Sequence, residues 1–445
     1  MNKKLIAAAV ASAVLVPTWA LAQSAIPTPA QERARETATS TAAVYGIING
    51  AFQVDQATGA TADTAPLNTL IKAPGLSPVN APSRQRIQSY SSRIGFKGVE
   101  DLGNDLKLVF QIESQVNTDG TSGGSLIGAR EVKVGFQTKY GELTYGQWLT
   151  PYALASIYED DIILSMGSIH NILGSHGFGA GAVGIGGVSA FLPGAYVGRL
   201  PNSVIWQSAN WNGFDIRGQY MANETKSATS AAAATNPWIY SSSVAYNGAG
   251  FRVSYSYQRS KDQIALGQQQ GLNTGYITAA TNFALSATHG AVAGTPGLHS
   301  SDTASKLSAS YTWGGLRVGA IYEQTKFGAS GLGAAGLNSF DYKRNAYVLL
   351  GVYRTGQHGF TVTFSKATDG TCGGTGLACS AQDLGAQQWA GSYTYALSKR
   401  TFLTAVAMRL QNKRAASYTI YNGTGLAAGA GADPQGVMVQ IMHLF

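Results

Sequence analysis

Arg93 and Lys97 stand four residues apart in Ser92-Arg93-Ile94-Gly95-Phe96-Lys97, on the side opposite Ile94 and Phe96. In an extended chain the two cations share a face and lie about 13 Å apart, at a rise of ~3.3 Å per residue. Lys133, between Val132 and Val134, and Lys107, beside Leu108, hold the same kind of position in two further segments. Arg217, Arg252 and Arg317 do so in three more, each near a short connector. Cations fixed along a wet face make no covalent bonds; they concentrate anions beside them. The acids that could oppose them are Glu159-Asp160-Asp161, within Ile157–Ile163 of the long connector 150–198. By themselves these acids read as a solvated patch on an external loop.

Bond-making chemistry finds no support. The six histidines fall mostly in glycine-rich loops, and no GxSxG, HExxH or CxxC pattern occurs. The glycine-rich stretch 177–187 does not join a strand to a helix as a phosphate loop does. A hydrolytic barrel is therefore a remote alternative, and neither a cofactor nor a metal is expected. Cys372 and Cys379 flank a glycine-rich loop. In an oxidising compartment they are disulfide candidates, with a reduced pair as the alternative.

The compartment is read from the N-terminus. Lys3 and Lys4 precede the apolar run Leu5–Val16, and Ala20-Leu21-Ala22 is a small-x-small cleavage signal. Residues 1–22 are thus an expected secretory leader of the Sec type. Residues 23–42, with Pro27 and Pro29, are expected to be a flexible periplasmic extension, and 43–445 the folded domain. Loss of Lys3 and Lys4 leaves 29 basic against 23 acidic residues, a net charge of +6. The basic residues are spread along the segments rather than clustered, so nucleic acid is not an expected partner. Only 12% of residues are charged, yet no later apolar run reaches the ~18 residues of a spanning helix. Forty-four per cent hydrophobic content excludes disorder.

From Val44 onward, segments of roughly ten residues alternate apolar and polar, the period of a strand with one greasy and one wet face. Val44/Ile48/Phe52, Val132/Val134/Phe136 and Phe360/Val362/Phe364 are examples. Sixteen strands are predicted, from 43–54 and 89–98 through 315–325 and 342–353 to 436–445. Short connectors such as Trp313-Gly314-Gly315 alternate with long ones such as 55–88, 150–198 and 326–341. An even count, tight turns at one end and long loops at the other describe an all-β fold, an antiparallel transmembrane β-barrel with short periplasmic turns and long extracellular loops. A secreted sandwich or propeller would also alternate. Against it stand the sparse charge of the polar face and the tyrosines and tryptophans near strand ends, such as Tyr145, Trp206 and Trp389. Closure is then obligatory, because an open strand edge in hydrocarbon costs several kcal/mol per unpaired group.

Several stretches resemble the general, trimeric outer-membrane porins of Gram-negative bacteria. They are Val44-Tyr45-Gly46-Ile47-Ile48-Asn49, the long match Ser92–Asn104, Tyr145-Gly146-Gln147 with Thr150-Pro151-Tyr152, Asn202-Ser203-Val204, Leu397–Thr401 and the terminal Phe445. The resemblance covers nearly the whole mature chain. It implies a 16-stranded barrel whose third loop folds into the lumen, so that Glu159, Asp160 and Asp161 face a basic wall of Arg93, Lys97 and Lys133 across a constriction. Such a transverse field would orient dipolar solutes and penalise apolar ones. Lys107, Arg217, Arg252 and Arg317 would line a vestibule. The resemblance further implies outer-membrane lipid as surroundings, a homotrimer, small hydrophilic solutes as cargo, and Phe445 as the signal read by the barrel-assembly machinery. Gly46 and Gly50 on the apolar face of the first strand would permit close packing between barrels. Gln147, Ile205, Met442 and Leu444 stand where the family often has basic residues, the last two flanking His443, so a less basic wall is expected. A substrate-specific channel and a surface adhesin are the alternatives.

Overall fold

The computed structural model describes residues 41–61, 80–118, 130–175, 177, 196, 198–222, 236–262, 299–334, 337–375, 381–420, 426 and 429–445. The expected leader 1–22, and the extension up to residue 40, lie outside the described residues. The strands are β1 (Thr41–Thr58), β2 (Ala81–Gln88), β3 (Arg93–Gly103), β4 (Leu106–Gln115), β5 (Val132–Thr138), β6 (Gly141–Leu149), β7 (Arg199–Ser208), β8 (Phe214–Met221) and β9 (Trp238–Gly248). They continue as β10 (Phe251–Lys261), β11 (His299–Trp313), β12 (Leu316–Ala334), β13 (Leu337–Thr355), β14 (His358–Ala367), β15 (Thr371–Thr375), β16 (Ala386–Ala396), β17 (Thr401–Asn412) and β18 (Asp433–Leu444).

These segments make sixteen barrel strands. β1 pairs with β3 over Thr41–Ile47 and with β2 over Ala51–Ala57, so β2 and β3 are two halves of one strand. Ser91, at φ 54°, breaks them. β14 and β15 likewise share the partner β13. Each remaining strand pairs antiparallel with the next, and β1 closes the cylinder against β18 from Ile47↔Leu444 to Thr58↔Asp433. Closure satisfies the backbone of every wall strand, as hydrocarbon demands. The tight turns have their own chemistry: Asn104 and Asp105 both adopt positive φ, as a two-residue hairpin turn requires.

The alternation sorts the faces as expected. Val44, Ile48, Phe52, Val134, Phe136, Phe360 and Val362 are exposed on the outer face, while Asn49, Gln53, Gln111, Ser254, Ser256 and Thr363 are buried on the inner one. The seam closes on the last residue. The Gly46 N–H donates to the Phe445 carbonyl at 3.0 Å, and a Cβ on Gly46 would stand 2.3 Å from the Phe445 ring. The expected packing role of Gly46 between barrels is therefore corrected: its own chain fills that space, and only Gly50 has open space above it.

Strand replaces much of two expected connectors and part of a third, 368–385, which holds β15. Most of 326–341 belongs to β12 and β13, each 19 residues long. At ~3.3 Å per residue each exceeds the membrane's ~25 Å apolar band, so this hairpin stands above it. Phe327 opposite Tyr342 holds it, both fully buried, with rings stacked at 6.4 Å and Tyr196 against Phe327 at 5.4 Å. In the first long connector, β2 extends the second strand upward through the register Asp55↔Arg84.

A candidate constriction built by the third connector

The connector after β6 turns inward. Thr150 caps a short helix, α1 (Pro151–Ile157), its side chain accepting from the Ala153 N–H at 3.0 Å. Pro151 sits in the first turn, where no backbone donor is needed. Every residue of α1 is buried, and the helix packs on the inner faces of β8 to β11. A helix buried all round inside a barrel needs polar anchorage for its surroundings, and three strands supply it. Lys306 of β11 donates to the Tyr152 carbonyl at 3.2 Å and to Ser156 Oγ at 2.6 Å. Glu323 of β12 accepts from the Tyr152 hydroxyl at 2.7 Å and from the Gly174 N–H at 2.8 Å. Arg344 of β13 donates to the carbonyls of Ser175 at 2.6 Å and Ile172 at 3.0 Å, and pairs with Glu323 at 3.2 Å. Lys306, Glu323 and Arg344 are at most 1% exposed.

The other side of the connector is apolar. Ile162, Ile163, Leu164, Met166 and Ile169 form one cluster with Ala390 of β16, Val406 and Met408 of β17, and Met438 and Met442 of β18. Much of the inner face of these last strands is thus hydrocarbon, Met442 included, with Gln388, Thr404 and Gln440 among its polar members. Gly167 fits because a Cβ would lie 3.1 Å from both Ala390 and Val406. Gln388 of β16 ties the seat down, donating to the carbonyls of Gly167 and Ser168 and accepting from Asn171 at 2.7 Å.

Of the three predicted acids, Asp160 turns inside the connector. It accepts from the Ile169 N–H at 3.1 Å and the Ser168 hydroxyl at 2.6 Å, and meets His170 Nδ1 at 3.2 Å. His170 Nε2 lies 2.9 Å from Ser156 Oγ, which completes a serine–histidine–aspartate chain that no sequence motif announced. Ser156 is fully buried and already engaged by Lys306, so this chain fixes the connector and offers no approach to a substrate.

Glu159 and Asp161 reach the wall, but a different wall from the expected one. Glu159 pairs with Arg252 of β10 and Arg317 of β12, each at 3.3 Å, and accepts from Ser310 at 3.2 Å. Asp161 pairs with Arg317 and with Arg354 of β13. Arg217 of β8 pairs with Asp215 at 2.8 Å and donates to the Tyr158 hydroxyl at 3.0 Å, while Arg252 stacks 4.5 Å over the Tyr158 ring. Arg217, Arg252 and Arg317, expected to line a vestibule, therefore receive the loop, together with Arg354, which the sequence pattern did not single out. Its signal was available: Arg354 adjoins the Gly356 turn with the parity of Val352 and Leu350, which are buried inside.

Arg93, Lys97 and Lys133 do face inward, yet Arg93 and Lys133 pair with acids of their own wall and Lys97 lies against a tyrosine of it. Arg93 and Arg130 meet Glu113 at 3.2 and 2.7 Å, and Arg199 meets Glu131 at 3.4 Å. Lys133 pairs with Glu142 and lies 4.1 Å over the Trp148 ring. Lys97 lies 4.9 Å over the Tyr45 ring, whose hydroxyl donates to Glu113 at 3.0 Å. Arg84 and Arg86 of β2 both meet Asp55, at 2.8 and 2.5 Å. Burial, with Glu113 beside it, pushes the Glu131 carboxyl above the usual carboxylate range. Lys107 is half-buried on the inner face of β4, opposite Asp101 and Gln137. Arg84, Arg86 and Arg199 were missed because they lie in or beside stretches read as loop, although Arg84 and Arg86 already alternate; Arg130 was passed over within the predicted strand 128–137. Cys372 in β15 is disulfide-bonded, and Cys379 lies outside the described residues.

A closed barrel of sixteen antiparallel strands, apolar outside and polar inside, with a connector folded into its lumen, defines the class of outer-membrane channels. A profile of the Gram-negative porin family matches residues 7–415, and the chain belongs to that family. Outer membrane porin protein 32 of Delftia acidovorans is 25% identical over 364 residues, which are 80% of this chain and 85% of that protein. The major outer membrane protein P.IA of Neisseria meningitidis is 44% identical over 64 residues, and that match spans only 16% of its length. Among solved structures, the anion-selective porin from Comamonas acidovorans aligns with a TM-score of 0.64 at 21% identity, covering 91% of this chain and all of that one. The location is the Gram-negative outer membrane.

Proposed function

We propose that the chain forms a water-filled channel for passive diffusion of small hydrophilic solutes and ions, biased towards anions. The observation that carries the bias is the stoichiometry of the inner charge clusters. Three arginines, Arg252, Arg317 and Arg354, share two carboxylates, Glu159 and Asp161. Three more, Arg93, Arg130 and Arg199, share Glu113 and Glu131. Asp55 is shared by Arg84 and Arg86. Counted over these ion pairs among the described residues, each cluster has one arginine more than it has carboxylates, and a low-dielectric wall around a narrow aqueous path strengthens its field. The anion-selective porin from Comamonas acidovorans, similar in fold, supports the same sign. The constriction in this reading lies between the third connector, with Arg252, Arg317 and Arg354 seated along it, and the facing wall, where Arg93, Lys97 and Lys133 are a second basic site.

The reading also has the chain assemble as a homotrimer and enter the membrane through the barrel-assembly machinery, which would recognise the C-terminal strand ending in Phe445. Family membership supports both, and the open space above Gly50 offers one surface for a neighbouring barrel. The alternative of a solute-specific channel has no observation of its own to favour it.

Planar-bilayer recording in a salt gradient tests the bias. The reversal potential of the unaltered protein is expected on the chloride side. Arg317→Gln with Arg354→Gln should move it towards the cation side, lowering the anion preference about tenfold, the effect of roughly 1.4 kcal/mol of lost field. An unchanged potential would remove these arginines from the selectivity site, and an absence of conductance would end the channel reading.

A further inference from the structure

The outer faces of β12 and β13 carry the same gradient of polarity, rung by rung. Cross-strand partners run Ala320↔Leu349, Tyr322↔Tyr347, Gln324↔Asn345 and Lys326↔Lys343 towards the long-loop end. Leu349, Tyr322 and Tyr347 are 59%, 39% and 43% exposed, as lipid-facing groups must be. The two tyrosine rings lie 5.4 Å apart. Above them the Tyr322 hydroxyl and the Gln324 amide both donate to Asn345 Oδ1, at 3.2 and 3.1 Å. Apolar, aromatic, amide and cation therefore succeed one another as hydrocarbon gives way to headgroups.

The top rung is the anomaly. Lys326 and Lys343 are exposed and directly opposite, where like charges on neighbouring strands destabilise a sheet. Neither makes an ion pair among the described residues. The carboxylate on the same face is Asp341, two residues beyond Lys343 and opposite Gly328, too few charges for two lysines. The cationic row extends along the sheet: Arg259 of β10 aligns through Thr303 with Lys326, and Lys366 of β14 is exposed opposite Tyr347. An anion at the headgroup level, held between the two lysines, turns this repulsion into attraction.

We propose that this rung is a docking site for the phosphorylated glycolipid of the outer leaflet, with Lys326 and Lys343 sharing one of its phosphates. Tyr322 and Tyr347 then lie against the first part of its acyl chains, and Gln324 and Asn345 face its sugar. Arg259 and Lys366 flank the site and widen its attraction for the same headgroup.

The test uses the full-length protein in detergent, incubated with bis-phosphorylated lipid A or with its dephosphorylated form, and counts bound lipid by native mass spectrometry. The phosphorylated form should be retained preferentially. Lys326→Gln with Lys343→Gln should weaken its retention about 30-fold, each lysine being worth roughly a factor of five beside anionic lipid. Heat-modifiable electrophoretic mobility checks that the variant is folded. Should the double variant not fold, Lys343→Glu serves instead. It should raise the melting temperature in lipid-free detergent, by replacing repulsion with attraction across the rung, and still lose the lipid. Equal retention of lipid A by a folded variant, or equal retention of the dephosphorylated form, would overturn the site. Displacement of the lipid by millimolar inorganic phosphate alone would reduce it to a free-anion site and overturn the glycolipid assignment.

Discussion

The inner surface of this barrel has two unlike halves. From β1 to β7 it is a wall of buried ions, in which Arg93 pairs with Glu113, Lys133 with Glu142 and Arg199 with Glu131. From β16 to β18 it is mostly alanine, valine and methionine, apolar surface that an aqueous lumen would leave unfavourably exposed. The third connector resolves that difference. It covers the apolar half with Ile162, Leu164 and Met166 and presents its carboxylates to the arginines of β10, β12 and β13. A polar lining and a hydrocarbon lining can coexist in one lumen when a segment with both characters lies between them. The connector is thus held by two seats of different physics, one ionic on β10 to β13 and one hydrophobic on β16 to β18, with β14 between them.

Variants that weaken one seat at a time separate the two. Glu323→Gln removes the carboxylate shared by Lys306 and Arg344 and leaves two buried cations uncompensated, at a cost of about 3–5 kcal/mol. A large fall in the denaturation midpoint is expected, with noisy or enlarged single-channel conductance as the connector leaves the wall. A variant as stable and as quiet as the parent would show that the ionic seat is dispensable. Met438→Ala strikes the other seat, where the Met166 N–H approaches the Met438 sulfur at 3.4 Å. Its expected cost is about 2–3 kcal/mol, the low end for emptying a buried methionine site. Because the seats share no partner, the two losses should add within about 0.5 kcal/mol, and strong coupling would mean the connector moves as a lever.

The smallest effect belongs to the ionic wall. Glu131, with its carboxyl raised by burial and by Glu113, takes up a proton as the pH falls through its titration. Below that point it is neutral and no longer offsets Arg199, so the wall becomes more positive. Anion preference should therefore rise as pH falls, by about a factor of two to three, as roughly 0.5 kcal/mol of field implies. Reversal potentials across a pH series check this, and Glu131→Gln should flatten the curve at its acidic limit. A curve unaltered in that variant would place the titration elsewhere.

Period-two alternation by itself determined which residues face lipid and which face the lumen, because successive side chains on a strand have no third direction to take. Hence the sixteen strands, the inward direction of Arg93, Lys97, Lys133, Arg217, Arg252 and Arg317, and the short turns were all legible. Length and regularity were not. The run of Gly, Ala and Ser around residues 328–337 has no apolar rhythm, and β12 and β13 extend into it through Phe327 and Tyr342, a contact that exists only across the hairpin. The partner of each charge was also beyond the sequence. Glu159 meets Arg317 and Asp161 meets Arg354 across more than 150 residues, and Asp160, beside both, closes on Ser168 and His170 instead. Those pairings follow from where the connector comes to rest, which is set by two distant walls together and by no local pattern.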